Sequence, residues 1–181
     1  MSNVIPVPLV ETERLVLRGR GLEDFPAIAA MWADPDVARF VGGKPRPEEE
    51  SWSKFLRDAG LWGHLGYGYW VMEEKATGQV IGEIGFADYM RDMTPSLKGL
   101  PEFGYALCAA AHGKGYATEA GRAAVVWGDD NLAGARMACI INPDNGPSLR
   151  VAEKCGFEIT GRTDYHGAPV HLLYRPIGRR R

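Results

Sequence analysis

Apolar and polar positions along this chain switch between a period of two and a period of three to four, and the switches lay out its elements. Residues 1–11, with Pro6 and Pro8, read as an N-terminal arm, because proline cannot donate to a central sheet ladder. Residues 12–18 alternate and predict a strand. After Gly21, Leu22, Phe25, Ile28, Ala29 and Trp32 recur at helical spacing, and Asp34-Pro35 ends that helix. A short helix or turn over 37–41 and a loop at 44–47 lead into a helix over 48–59. Its three opening acids, Glu48, Glu49 and Glu50, complement the helix dipole. Two alternating runs, 70–73 and 80–86, flank the turn Ala76-Thr77-Gly78 and predict a hairpin. Residues 88–101 carry Asp, Pro, Ser and Gly and read as a long surface loop.

The stretch that follows is the most informative. Over residues 102–109, Phe103, Tyr105 and Leu107 point one way, while Gly104, Ala106 and Cys108 point the other. A face of such small side chains predicts a strand whose backbone is open to a ligand. Then comes His112-Gly113-Lys114-Gly115-Tyr116-Ala117-Thr118, opening a helix over 116–130 that carries Ala120, Ala123, Ala124 and Trp127 on one side. Glycines let several N–H groups converge on one point, and the helix adds its positive end, so strand, loop and helix form an anion cradle suited to a phosphate or pyrophosphate. Lys114 is followed by Gly115 rather than Ser or Thr, which excludes a magnesium-holding P-loop, and the third glycine of a dinucleotide fingerprint is missing.

A second block lies downstream, after a strand over 136–141. Asn145 and Gly146 cap a helix with Pro147 in its first turn, Gly156 supplies its left-handed stop, and Phe157 starts the next strand. The final pair of strands spans 157–164 and 170–176 around a turn at 165–169. The first block resembles the pyrophosphate loop of the GNAT N-acetyltransferases (Gln/Arg-x-x-Gly-x-Gly/Ala), with His112 in place of Gln or Arg and with Gly115 and Ala117 at the small positions. The second block, Asn145 through Ser148, Glu153-Lys154 and Gly156-Phe157, is similar to the same family's Asn-x-x-Ser-x-x-x-x-(Glu-Lys)-x-Gly-Phe segment. The resemblance runs from about residue 12 to 174 and is closest to the branch that acetylates ribosomal-protein N-termini and small amines.

The resemblance implies a single-domain α/β fold over residues 1–181, with a mixed, mostly antiparallel sheet in the order β-αα-βββ-α-β-α-ββ. Its central strands splay into a V-shaped cleft. It implies acetyl-CoA as co-substrate, no metal, and direct transfer of acetyl to a primary amine on a small molecule or a protein N-terminus. The cofactor would lie against Ala106, Leu107, Cys108, His112, Gly113, Lys114, Gly115, Tyr116, Ala117, Thr118, Asn145 and Ser148. A bulge near Leu107 or Cys108, as the family pattern implies, would free their N–H groups for the thioester oxygen and the pantetheine amides.

Acetyl transfer needs a proton acceptor for the amine and a donor for the departing thiolate. Glu102, four residues before Ala106, looks like the position of the glutamate base in the histone-acetylating branch. Glu83 on the preceding strand and a water chain are the other candidates. The family's usual tyrosine, four residues before the helix-ending glycine, is Ala152 here, which leaves Ser148 as candidate donor against a plain role in capping its helix. Trp52, Trp62, His64 and Tyr67 either line an acceptor pocket or pack the core. Cys108 among alanines reads as a small core residue rather than an acyl carrier. His64, His112, His166 and His171 are scattered without metal-ligand spacing.

Composition narrows the partners. A net charge of −2 gives no general pull toward nucleic acid or anionic membrane, and no run of eighteen apolar residues indicates a span. Three cysteines at unrelated spacings argue for a reducing cytoplasm. The basic end, 178–181, reads as a solvated tail, and a homodimer stays open. Two functions fit these observations: an N-acetyltransferase, or a catalytically weak acetyl-CoA-binding sensor or interaction module.

Overall fold

The computed structural model describes residues 6–178, so residues 1–5 of the expected arm and Arg179–Arg181 of the basic tail lie outside the described residues. The chain runs β1 (Val10–Glu11), β2 (Leu15–Arg18), α1 (Phe25–Ala33), α2 (Pro35–Ala38), α3 (Glu48–Leu65), β3 (Tyr69–Glu74), β4 (Gln79–Ala87), β5 (Glu102–Leu107), α4 (Tyr116–Asn131), β6 (Arg136–Ile141), α5 (Gly146–Lys154), β7 (Glu158–Tyr165) and β8 (Ala168–Pro176). The strands form one eight-stranded sheet in the order β1-β2-β3-β4-β5-β6-β8-β7. Every neighbouring pair is antiparallel except β5 and β6.

Three local departures from the sequence reading have identifiable causes. The arm contributes a short edge strand, because Val10 and Glu11 lie beyond the prolines and pair with Leu17 and Val16. Helix α3 continues past Ala59 to Leu65 despite two internal glycines. The buried Trp62 outweighs their propensity cost: its indole donates to the Tyr69 carbonyl at 3.1 Å and its ring packs edge-on against Trp70 and Trp127. The last hairpin turns on His166 and Gly167, both with positive φ, a tighter turn than the five residues expected.

Alternation along the strands sorts the core into two sides. Trp70, Met72, Ile84, Phe86, Phe103 and Leu107 pack with α4 and α5 residues such as Ala120, Ala124 and Ala152. On the other side Val71 and Ala106 pack against Ile28, Met31, Trp32 and Phe55 of α1 and α3. Leu97, from the loop between β4 and β5, covers Ala138 and Leu172 farther along.

β5 and β6 break the regularity. They pair at one position, Glu102 with Ala138, where the Ala138 N–H donates to the Pro101 carbonyl at 3.0 Å. Beyond it the strands part, and the V-shaped cleft opens toward their C-terminal ends. On the α5 side one strut crosses the gap: the Tyr105 hydroxyl donates to the Ser148 carbonyl at 2.8 Å.

The turn between β1 and β2 is tied to the first turn of α4. Glu119 accepts from the Thr12 hydroxyl at 2.6 Å, from the Arg14 N–H at 2.8 Å and from the Arg14 guanidinium at 2.7 Å. Arg14 also donates to the Lys114 carbonyl at 3.0 Å, so one side chain grips both the helix and the loop before it. Burial pushes the Glu119 carboxyl up, but the Thr12 and Arg14 hydrogen bonds more than offset this, and it titrates below its ordinary range. A depressed folded-state pKa stabilises above the unfolded value and is lost as pH falls through the folded one. Replacing Glu119 by Gln should therefore lower the melting temperature by roughly 2–4 °C at neutral pH, with the difference closing in strongly acidic buffer. A deficit of equal size at both pH values would show that charge is not what holds the clamp.

Candidate active site

The Gly-rich loop adopts the backbone an anion cradle needs. Gly113 and Gly115 take φ of +74° and +83°, and a Cβ at Gly113 would project into open space. Gly115 is the N-cap of α4, and no side chain caps that helix, so the N–H groups of Tyr116, Ala117 and Thr118 have no side-chain partner. Lys114 is exposed beside them. Tyr116 leans away, its hydroxyl bonded to Glu74 and its ring under the Arg14 guanidinium at 4.4 Å. The His112 ring turns back to the Leu107 carbonyl at 2.9 Å and joins loop to strand end.

β5 carries no bulge against β4: its register is continuous from Glu102 opposite Ala87 to Leu107 opposite Gly82. The Cys108 N–H donates to the Ile81 carbonyl at 2.9 Å. Alternation in an antiparallel ladder then directs the backbones of Ala106, Gly104 and Glu102 to β4, and those of Tyr105 and Leu107 toward the cleft. This corrects the expectation that Leu107 and Cys108 supply the free donors; the pair is Tyr105 and Leu107. The small-residue face is not open either. Ala106 lies under α1 and α3, and a Cβ at Gly104 would collide with the Tyr69 hydroxyl oxygen.

Across the cleft, the Asn145 side chain accepts from the Ser148 N–H at 3.1 Å and caps α5. Ser148 thus sits in the first turn of α5 with its carbonyl taken by Tyr105. Burial pushes the Tyr105 phenol up, which keeps it protonated and the strut intact. Ala152, one turn on, is fully buried.

On the α1–α3 side the two candidate carboxylates sit in different settings. Glu83 is 1% exposed and bonded to Lys54, with the Trp32 indole at 3.3 Å and Arg20 at 3.5 Å. Lys54 also bonds Asp58 at 2.5 Å. Burial pushes the Asp58 carboxyl up, yet the charges of Lys54, Arg20 and Arg57 bring it below its ordinary range. Glu102, at the apex of the V, has one cation partner: Arg91 forks onto both its oxygens at 2.7 Å. Arg91 in turn lies over the rings of Tyr89 and Tyr165, which fixes the loop against the last hairpin. The sequence offered no signal for Arg91, Lys54 or Tyr105, whose roles depend on contacts between distant segments.

The four aromatic-segment candidates part company. Trp62 is core, Trp52 packs edge-on against Phe25 on an outer face, His64 is exposed on α3, and Tyr67 is half-buried against the core. Beside α3 lies an open cleft of about 340 Å³ lined by Arg46, Glu49, Glu50, Ser53, Lys54 and Arg57. Arg57 also sits over the Tyr89 ring at 5.4 Å, which links this cleft to the loop between β4 and β5. Among the described residues, no group of three or more His, Cys, Asp or Glu is arranged to hold a metal ion. No helix there is long and apolar enough to cross a membrane.

Comparison with known proteins agrees with this geometry. Residues 14–158 match the acetyltransferase (GNAT) domain family. The chain is 30% identical over 166 residues to p20 of Bacillus licheniformis, described as an uncharacterized N-acetyltransferase, covering 90% of this chain and 89% of that one. It is 25% identical over 147 residues to the L-amino acid N-acetyltransferase AaaT of Escherichia coli strain K12, covering 81% and 85%. A GnaT-family acetyltransferase structure from Bordetella pertussis superimposes with a TM-score of 0.82 at 29% identity, covering 93% of this chain and 99% of that one. Cradle, divergent strands and family match converge: the chain belongs to the GNAT family of acetyltransferases.

Proposed function

We propose that the chain transfers an acetyl group from acetyl-CoA to a primary amine, on a small molecule or a protein N-terminus, by direct attack in a ternary complex. The observation that carries this reading is the uncapped N-terminus of α4, with two left-handed glycines before it, at the mouth of a cleft edged by unpaired β5 backbone groups. The loop from Gly113 to Thr118 would take the pyrophosphate through backbone N–H groups and the α4 dipole. Tyr105 and Leu107 would present N–H groups to the thioester and pantetheine, and Asn145 and Ser148 would flank the arm from α5. The three cysteines are unpaired thiols, which fits a reducing cytoplasm.

Glu102 is favoured over Glu83 as the group that draws off the amine's proton. Both carboxylates are buried, but Glu83 is ringed by three donors under α1 and α3, whereas Glu102 stands where β5 and β6 part and has Arg91 as its one ion-pair partner among the described residues. A carboxylate offers about four lone-pair directions, so an Arg fork leaves room for a water between Glu102 and the amine. Ser148 remains the candidate donor to the departing thiolate, since Ala152 offers none.

Thiol release from acetyl-CoA, measured against a panel of amino acids, N-terminal peptides, polyamines and aminoglycosides, tests the reading and separates an enzyme from a binding module. Coenzyme binding without turnover on any amine would contradict it. Gly115→Val forces a branched side chain to a φ of +83° and sets a Cβ 3.5 Å from the Arg14 guanidinium. CoA affinity measured by calorimetry should fall at least tenfold, roughly 1.4 kcal/mol; unchanged affinity in a folded variant would remove the loop from the site. Glu102→Gln should keep CoA affinity and lose roughly 10²-fold in turnover. That loss should shrink at higher pH, where more of the amine is already neutral. Wild-type turnover at neutral pH would pass the role to water or Glu83.

A further inference from the structure

Tyr69 carries a buried hydroxyl that takes no part in the chemistry proposed so far. It lies in register with Gly85, and Gly85 with Gly104, so its ring crosses two glycines on the face of the sheet that holds Glu83 and Glu102. Its hydroxyl oxygen presses on Gly104 so closely that no side chain fits there. Gly104 and Tyr105 are half-buried, between the buried Phe103 and Ala106. Gly104 is also the second residue after Glu102, which makes the sole pairing with β6. The hydroxyl therefore stands at the apex of the V, next to the peptide whose N–H belongs to Tyr105.

The Tyr89 hydroxyl donates to the Tyr69 oxygen at 3.1 Å, and neither hydroxyl has another hydrogen-bond partner among the described residues. Two hydroxyl hydrogens serve one contact, and with Tyr89 as its donor the Tyr69 O–H is left to donate elsewhere. Acyl transfer develops negative charge on the former carbonyl oxygen, and fixed donors aimed at that oxygen lower the barrier.

We propose that the Tyr69 hydroxyl, oriented by Tyr89, is a second donor to the acetyl carbonyl oxygen and completes a two-donor oxyanion site with the Tyr105 backbone N–H. The inference rests on the acetyl-transfer reading above. In the step itself the amine nitrogen bonds to the acetyl carbon, the carbon–sulfur bond breaks, and the amine's proton leaves on the Glu102 side. The phenol keeps its proton throughout. Burial pushes both tyrosines well above their ordinary range, so Tyr69 gives a hydrogen bond and does not act as an acid toward the thiolate. Gly104, which the sequence suggested as an opening for the ligand, is on this account the space that admits the hydroxyl.

Tyr69→Phe keeps the ring and removes the donor. With acetyl-CoA labelled with ¹³C at its carbonyl, the infrared thioester band of the bound molecule should lie at higher wavenumber in the variant than in the wild type. Turnover of any amine the wild type acetylates should fall roughly 10²-fold, the usual size for one oxyanion donor. CoA affinity and melting temperature should stay close to wild type, which a merely structural role would not allow together with that loss. Tyr89→Phe, which spares the Tyr69 O–H, should move the band less and cost less turnover. An unshifted band and wild-type turnover in Tyr69→Phe would overturn the donor alone. Failure of the wild type to bind CoA would overturn the proposed function and the donor with it.

Discussion

The structure depends on hydrogen bonds that β5 and β6 do not make. Seven strand pairings hold this sheet together, and six of them are ladders of two or more residue pairs, while β5 and β6 meet only at Glu102 and Ala138. Backbone groups in a sheet interior need partners, and here the N–H groups of Tyr105 and Leu107 are left to water or to a ligand. Everything around the gap keeps it open. The Tyr105–Ser148 strut ties α5 across the back, and the His112 ring occupies the Leu107 carbonyl at the far end. The Arg14–Glu119 clamp aims α4 at the mouth. A sheet zipped along its full length would be more regular and would have nowhere to hold an extended thioester arm.

The face of the sheet on which we propose the acceptor binds carries a buried charge cluster beside its apolar core. Arg20, Lys54, Asp58 and Glu83 form a buried cluster whose charges cancel within the group, next to Glu102 with Arg91. Burying ions is expensive unless each has partners, and removing one partner usually costs more than the intact group contributes. Lys54 is the linchpin, since it alone touches both Asp58 and Glu83 and also lies over the rings of Trp32 and Tyr69. The cluster therefore acts first as a rigid floor. That reading leaves Glu102 and the Tyr69 hydroxyl for the chemistry proposed at the apex.

Much of this was legible in the sequence because it is local. The alternation in residues 102–107, the glycines at 113 and 115 and the Asn145 cap each obey rules that act over a few residues, and each element appears where those rules place it. Reading failed where distant segments decide. Which β5 backbone groups face the cleft follows from the Cys108 bond to Ile81 on another strand. The glycine at 104 has the same composition signature whether it admits a ligand or a tyrosine from β3. Helix α3 outran its expected end because of a tryptophan cluster assembled from α3, β3 and α4. The fork of Arg91 onto Glu102 joins a featureless loop to the central strand, and no periodicity announces it.

The central claim is that a ligand supplies the hydrogen bonds missing between β5 and β6. Amide hydrogen exchange read residue by residue by NMR, with and without acetyl-CoA, addresses it most directly. Tyr105 and Leu107 should exchange fast in the free protein and become protected on binding. Cys108, already bonded to Ile81, should be protected in both states. Tyr105 and Leu107 amides whose exchange is unchanged by saturating acetyl-CoA would contradict the account.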